Sequence, residues 1–295
     1  MNSDSSYLLQ FKSNIHSQGG EDGVLQKVLE ILPDRDKWCV EFGAHDGVFA
    51  SNTRNLIENH AYSAVLIEGS KARFTKLQKN YSGRANVVAV NQFVGVTEND
   101  NLDHILGKTP IPRNFDFLSI DIDGNDYHAW KACSGYTPKA VCIEFNPTIP
   151  TEVHFVQKSD PSVNQGSSLR SLVELGKSKG YELVCVLPAN AIFVRAELYR
   201  LFEIEDNRPE VLRKHLDKIT YMFVGFDGTI HLSGNQQLPW HSVEIHESKI
   251  QQLPVRLLKY PENYTEFEKA LFRAYLRPGD LPKIAIDFIK RCLNR

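Results

Sequence analysis

The sequence predicts an α/β protein: an open, doubly wound Rossmann-like sheet of mainly parallel strands, closed by an antiparallel pair, with an α/β extension at its C-terminal side. Three observations predict it. Between Trp38 and Arg195, short β-rich runs alternate with helix-like segments, and such alternation builds a parallel sheet with right-handed crossovers. The apolar stretches in these runs are nearly continuous, as in strands covered on both faces. The last two runs lie too close together for a parallel crossover and must pair antiparallel.

The runs are WCVEFGA (38–44), SAVLIEG (63–69), ANVVAVNQFV (85–94), FDFLSIDIDG (115–124) and KAVCIEFN (139–146). Between the second and third, Phe74, Leu77 and Tyr81 share one helical face, so 71–81 is expected to be a helix. Asn125–Cys133 follows an Asp-Gly turn and carries Asp126 in its first turn. Leu169–Gly180 groups Leu169, Leu172 and Val173 and stops at a glycine. YELVCVLP (181–188) and AIFVRAEL (191–198) form the antiparallel pair, which gives seven strands in all. Beyond them, Arg208–Lys218 is expected to be helical with Pro209 in its first turn. TYMFVGFDGTIHLSG (220–234) reads as a hairpin around Asp227-Gly228. Thr265–Tyr275 and Leu281–Leu293 have helical periodicity. The expected organisation is a domain over 1–199 with a helical lead-in, and an accessory region over 200–295.

Composition sets the outer limits. Of 295 residues, 42% are hydrophobic and 24% charged, which is ordinary for a globular chain with a substantial core. Lys+Arg is 34 against Asp+Glu 36, so no global field favours nucleic acid or an anionic membrane. The basic stretch of Arg54, Lys71, Arg73, Lys76 and Lys79 reads as a solvated face. No apolar run approaches the ~20 residues of a membrane span, and Met1–Ser6 lacks the plan of a signal peptide. The five cysteines are widely spaced, without CxxC or zinc patterns. A reducing, cytoplasmic setting is the expectation. Oligomeric state is not legible.

The first strand runs into Glu41-Phe-Gly43-Ala-His45-Asp46-Gly47. In open α/β sheets ligands bind outside the carboxyl ends of the strands, and glycine there lets backbone approach a ligand. The spacing is neither the dinucleotide G-x-G-x-x-G nor a phosphate-binding loop; a plain βα turn is the bland alternative. The second strand ends in Glu68, about 20 residues after the glycine turn, where doubly wound folds place a carboxylate for ribose hydroxyls. Asn91-Gln92 ends the third strand and offers polar groups beside an adenine.

The motifs Val40-Glu41-Phe-Gly-Ala-His-Asp-Gly47, Glu68, Phe117-Leu-Ser-Ile-Asp121-Ile-Asp123-Gly124-Asn125 and Cys142-Ile-Glu144-Phe-Asn146 together resemble class I S-adenosylmethionine (SAM)-dependent methyltransferases, more narrowly the FkbM-like group. The resemblance covers about residues 14–198. It implies a seven-stranded sheet of order 3-2-1-4-5-7-6 with the last strand antiparallel, SAM over the first glycine turn, and O-methylation, often of sugars. It places Glu41 and Gly43 at the methionine part, Gly47 at a close packing point, and Glu68 at the ribose, with Asn91 and Asp121 beside the cofactor. The chain departs from the common family pattern at Glu41, where Asp is usual, and at Asp121-Ile-Asp-Gly124 in place of D-x-E-G; both changes keep carboxylates. The upstream Ser17-Gln18-Gly19-Gly20-Glu21-Asp22 is either a capped helix start or a segment closing over the cofactor.

Asp121 and Asp123 alternate on one side of strand four, and Glu144 ends strand five beside them. Oxygen donors so placed suit Mg²⁺ or another divalent cation, here Asp121, Asp123 and Glu144. The competing readings are metal-free general-base catalysis by Asp123, His128 or His154, and turn-capping alone. The catalytic candidates are Asp123 first, then His154. The acceptor expected is a sugar, glycan or other small polyhydroxylated molecule, with no nucleic acid and no membrane span. The rivals are a nucleotide-sugar glycosyltransferase using the Asp121/Asp123 pair and a methyltransferase-like binding module without turnover. Phe226-Asp227-Gly-Thr229 matches part of a phosphatase motif but has Gly225 where the nucleophile belongs, so it reads as a turn.

Overall fold

The computed structural model describes residues 4–277, and the helix expected over 281–293 lies outside them. The chain divides into two compact units, 1–216 and 217–295. The first carries helices α1 (Glu21–Ile31), α2 (Arg54–Asn59), α3 (Lys71–Asn80), α4 (Leu102–Leu106), α5 (Asp126–Ala132), α6 (Leu169–Ser178) and α7 (Pro209–Leu212). Its strands are β1 (Trp38–Phe42), β2 (Ser63–Ile67), β3 (Val87–Val90), β4 (Phe117–Ile120), β5 (Ala140–Glu144), β6 (Tyr181–Val186) and β7 (Asn190–Arg195). They form one sheet of order β3-β2-β1-β4-β5-β7-β6. β1 to β5 pair in parallel, and β7 pairs antiparallel with both β5 and β6. The predicted fold class and strand order are those observed.

The near-continuous apolar runs are explained by two covered faces. Val40, Val65, Leu118, Val141 and Phe193 are fully buried, and so are their neighbours Cys39, Ala64, Phe117, Ala140 and Ile192. Trp130 from α5 is buried against Tyr181 and Phe193 at ring-centroid distances of 5.7 and 5.2 Å. Cys39, Cys133, Cys142 and Cys185 are buried and unbridged. At the amino-terminal end of the sheet Asp116 has no exposed surface, accepts from the N–H groups of Asp36 and Lys37, and pairs with Lys139 Nζ at 2.6 Å. Among the described residues no helix is long and apolar enough to cross a membrane.

The expected boundary at 199/200 falls short of the observed one. Phe202, Ile204 and Leu212 join the core of the first unit, and Arg213 is only 3% exposed. Its guanidinium donates to the carbonyls of Pro147 (2.6 Å) and Ile149 (2.8 Å) and to Thr151 Oγ1 (3.1 Å), above the Phe145 ring. The helix expected over 208–218 is a single turn, because the chain turns at Arg213 to make those bonds.

The second unit, by itself, holds the hairpin β8 (Thr220–Val224) and β9 (Ile230–Gly234), the short pair β10 (Gln237–Leu238) and β11 (Val243–Glu244), and helices α8 (Glu247–Ile250) and α9 (Glu266–Leu276). The Asp227-Gly228 turn is closed by Asp227, which accepts from Thr229 N and Oγ1. A Thr265/Glu268 capping box starts α9.

Candidate functional site

A cavity of about 730 Å³ opens at the carboxyl ends of β1, β2, β3 and β4, a size within the ~300–1,000 Å³ of small-molecule sites. Gly43, Glu68, Gly69, Gln92, Phe93, Asp121, Asp123 and Asn164 are among its lining residues. Glu68 is 4% exposed, and its two oxygens accept from His45 N at 2.9 Å and Ser70 N at 2.6 Å. A carboxylate has about four acceptor directions. Two are spent on backbone, which fixes the group at the cavity edge and leaves two for other donors.

The glycines owe their place to the protein's own packing. A Cβ on Gly43, at φ +78°, would stand 1.7 Å from the Asp121 carbonyl oxygen, so this glycine lets β1 pass beside β4. A Cβ on Gly47, at φ +72°, would stand 2.5 Å from the Tyr81 ring. Tyr81 closes the contact by donating to Gly47 O at 2.8 Å.

Five sequence-predicted site residues, Glu41, Gly47, Asn91, Glu144 and His154, do not line the cavity. Glu41, 4% exposed, turns inward and accepts from Ser51 Oγ (2.6 Å), Thr53 Oγ1 (2.7 Å) and Asn52 N (2.8 Å). Burial raises its carboxyl pKa, and these bonds oppose the rise. Its task is to brace the 51–53 turn rather than face a ligand. Asn91 donates to the carbonyls of Glu68 and Gly69, tying the β3 tip to the β2 tip, while Gln92 and Phe93 reach the cavity. His154, with a side chain 55% exposed, lies 3.3 Å from Glu174 on α6. The loop that carries it turns that side chain to the α6 surface, which removes the geometric basis for a catalytic role.

The acidic cluster does come together. Asp121, Asp123 and Glu144 each offer an oxygen within 4.8 Å of the others. Burial, then the charge of Asp126, pushes Asp121 up to about 8. Burial, then Asp121, pushes Glu144 up to about 9. Crowded, desolvated carboxylates of this kind hold a proton or share a cation. The donor set, three carboxylates, fits a hard divalent ion.

The turn after β4 is built from its own sequence. Asp126, 3% exposed at the start of α5, accepts from Ile122 N and Gly124 N, both at 2.9 Å. Asp123 sits at φ +56°, the left-handed region. His128 Nε2 lies 2.8 Å from Gln157 O, so it is engaged with the β5–α6 connection. The N-terminal motif is a capped turn: Asp22 Oδ2 accepts from Ile15, His16 and Ser17 N, and Ser17 Oγ accepts from Asp22 N. It also reaches the sheet, because Glu21 accepts from Asn190 Nδ2, and Asn190 is the register partner of Glu144. Arg73, Phe93, Asp160 and Asn164 line the cavity without having been legible; they come from a helix and loops whose residues follow no pattern that marks a ligand.

No protein-family profile matches the chain, and no curated protein matches it. Among solved structures, the SAH-bound N-terminal domain of EvdMO1 is 13% identical over 59% of this chain and 80% of that one, with a TM-score of 0.39. A SAM-dependent methyltransferase from Aquifex aeolicus is 12% identical over 65% of this chain and 96% of that one, with a TM-score of 0.37. The CMeT domain of the citrinin polyketide synthase is 11% identical over 60% of this chain and 51% of that one, with a TM-score of 0.40. These likenesses are remote; the fold assignment rests on this chain's own strand order.

Proposed function

We propose that this chain is a SAM-dependent methyltransferase of the FkbM-like kind, acting on an oxygen of a sugar, glycan or similar polyhydroxylated small molecule. The observation that carries the reading is Glu68: a buried carboxylate at the β2 tip, fixed by two backbone N–H groups, with acceptor capacity left at the edge of a 730 Å³ cavity. That is the place and chemistry for ribose hydroxyls in a doubly wound sheet. When bound, the cofactor supplies an electrophilic methyl on a sulfonium leaving group.

The chain's own residues then have three tasks. Glu68 holds the nucleoside end. Asp121, Asp123, Asn125 and Asn164 present oxygen and amide groups to an acceptor at the other end. Asp123 is placed to take the hydroxyl proton; alternatively Asp121, Asp123 and Glu144 would hold a divalent cation, which would supply Lewis acidity to the hydroxyl. Arg73 is the one Lys or Arg among the described lining residues, and it belongs to α3 at the nucleoside end. An acceptor half with carboxylates and amides but no cation suits an uncharged polyol. It does not favour the diphosphate of a nucleotide sugar, so the glycosyltransferase reading is second.

Replacing Glu68 by Ala is expected to weaken SAH binding by about 1–3 kcal/mol in calorimetry, the cost of leaving polar partners unsatisfied. Unchanged affinity would overturn the assignment. A mass-spectrometric screen of SAM with glycans for a methyl gain separates an active enzyme from a binding module.

A further inference from the structure

We infer that Gln157 is a positioning residue: it fixes the Asp121–Asn125 turn against the β5–α6 connection and so builds the acceptor-side wall before any ligand arrives. The inference rests on the proposed methyltransferase site, which it deepens.

Gln157 is 1% exposed although it belongs to a loop. Its Oε1 accepts from Gln165 N at 2.9 Å and Gly166 N at 2.8 Å, and its Nε2 donates to Val163 O at 3.0 Å. One side chain thus closes the 157–166 loop from inside. A buried amide with its donors and acceptors met holds backbone more firmly than a solvated loop does. The loop is stitched to the β4 turn at three places. Asn164 Nδ2 donates to Asp123 O at 2.7 Å, and Asn125 Nδ2 donates to Asp160 O at 2.9 Å. The third is a contact: a Cβ on Gly124 would stand 2.8 Å from Val163 O and about 3.1 Å from the Gln157 amide. The glycine of Asp123-Gly124 is therefore required first by the Val163 carbonyl, which Gln157 Nε2 holds in place.

The stitched carbonyl belongs to Asp123, held at φ +56°. A left-handed non-glycine residue persists only where its surroundings over-determine it, and the Asn164 bond supplies that constraint. The same loop gives the cavity Ser159, Asp160, Pro161 and Asn164. Gln157 thus holds the loop that fixes the Asp123 backbone and forms the wall facing it, without lining the cavity itself.

The test compares Gln157→Leu, Gly124→Ala and Gln157→Glu in the full chain by hydrogen exchange and SAH calorimetry. In Gln157→Leu and Gly124→Ala, amide exchange at 122–126 and 157–166 should accelerate together by about tenfold or more. SAH affinity, set at the β2 and β3 tips, should stay within about twofold. Gln157→Glu keeps the Oε1 acceptor but sets an oxygen against the Val163 carbonyl, so it should recover protection at acid pH, where its carboxyl is protonated and donates, and lose it as the pH rises. Where wild type binds Mg²⁺, the first two variants should weaken that binding about tenfold; where it does not, the exchange pattern decides alone. Exchange confined to 157–166 with 122–126 unchanged, or an equal loss of SAH affinity, would overturn the inference. Failure of wild type to bind SAH would instead overturn the proposed function, and the coupling between turn and loop would still be read.

Discussion

Replacing Glu41 by Ala separates a bracing carboxylate from a cofactor-facing one. In the folded chain three donors converge on it: the hydroxyls of Ser51 and Thr53 and the N–H of Asn52. Ser51 and Thr53 are buried at 3% and 0% exposure, so water does not replace the lost acceptor. Each stranded buried donor costs about 1–3 kcal/mol. The hydroxyls can turn, and Ser51 Oγ already accepts from Thr53 and Arg54 N, so the sum is expected at the low end, about 3–5 kcal/mol. Glu41→Gln keeps one carbonyl acceptor and should cost about 1–2 kcal/mol by losing charge assistance. Urea unfolding followed by tryptophan fluorescence in a Trp240→Phe background, which leaves Trp38 and the buried Trp130 of the first unit as reporters, reads the change as a lower midpoint at constant slope. Loss of less than about 1 kcal/mol in Glu41→Ala, together with a tenfold or greater loss of SAH affinity, would show the carboxylate facing the cofactor and refute the reasoning.

Three further outcomes are expected. Asp121 and Glu144 have folded pKa values raised from 3.8 to about 8 and from 4.5 to about 9. Their contribution to stability is therefore complete below about pH 4 and is lost as pH rises towards 8–9. Thermal melts of the cation-free protein should fall across that window, and Mg²⁺ should raise Tm more at pH 9 than at pH 6; an Mg²⁺ effect flat in pH would remove these carboxylates as ligands. His154→Ala should leave turnover with any acceptor found in the screen within about twofold, since exposed groups away from a site add little; a tenfold loss would restore its catalytic role. Methylation should survive EDTA if Asp123 acts as a base alone, whereas loss with EDTA and recovery with Mg²⁺ would assign the cluster to a metal.

The sequence by itself determined the sheet. Continuous apolar runs such as Ser63–Ile67 are stable only with both faces covered, and the short link between the 181–188 and 191–198 runs excludes a parallel crossover. It also pointed to Glu68, a carboxylate ending the second strand, and to Asp121, Asp123 and Glu144 as a set; β4 however ends at Ile120, and the turn after it, with Asp123 at φ +56°, is what brings those three carboxylates together in place of strand alternation. Tertiary structure decided where the remaining candidates point. Glu41 and Glu68 both end up buried near successive strand tips, yet one is turned inward by Ser51 and Thr53 and the other is held at the cavity edge by His45 and Ser70. Apart from Ser70, two residues from Glu68, the partners that make the difference lie 10 to 23 residues away, so little local to either residue carries it. Gln157, Asn164 and Arg213 escaped notice for the same reason. Their bonds are made mainly to backbone, within one loop for Gln157 and to distant segments for Asn164 and Arg213, and backbone partners leave no mark on the pattern of side chains.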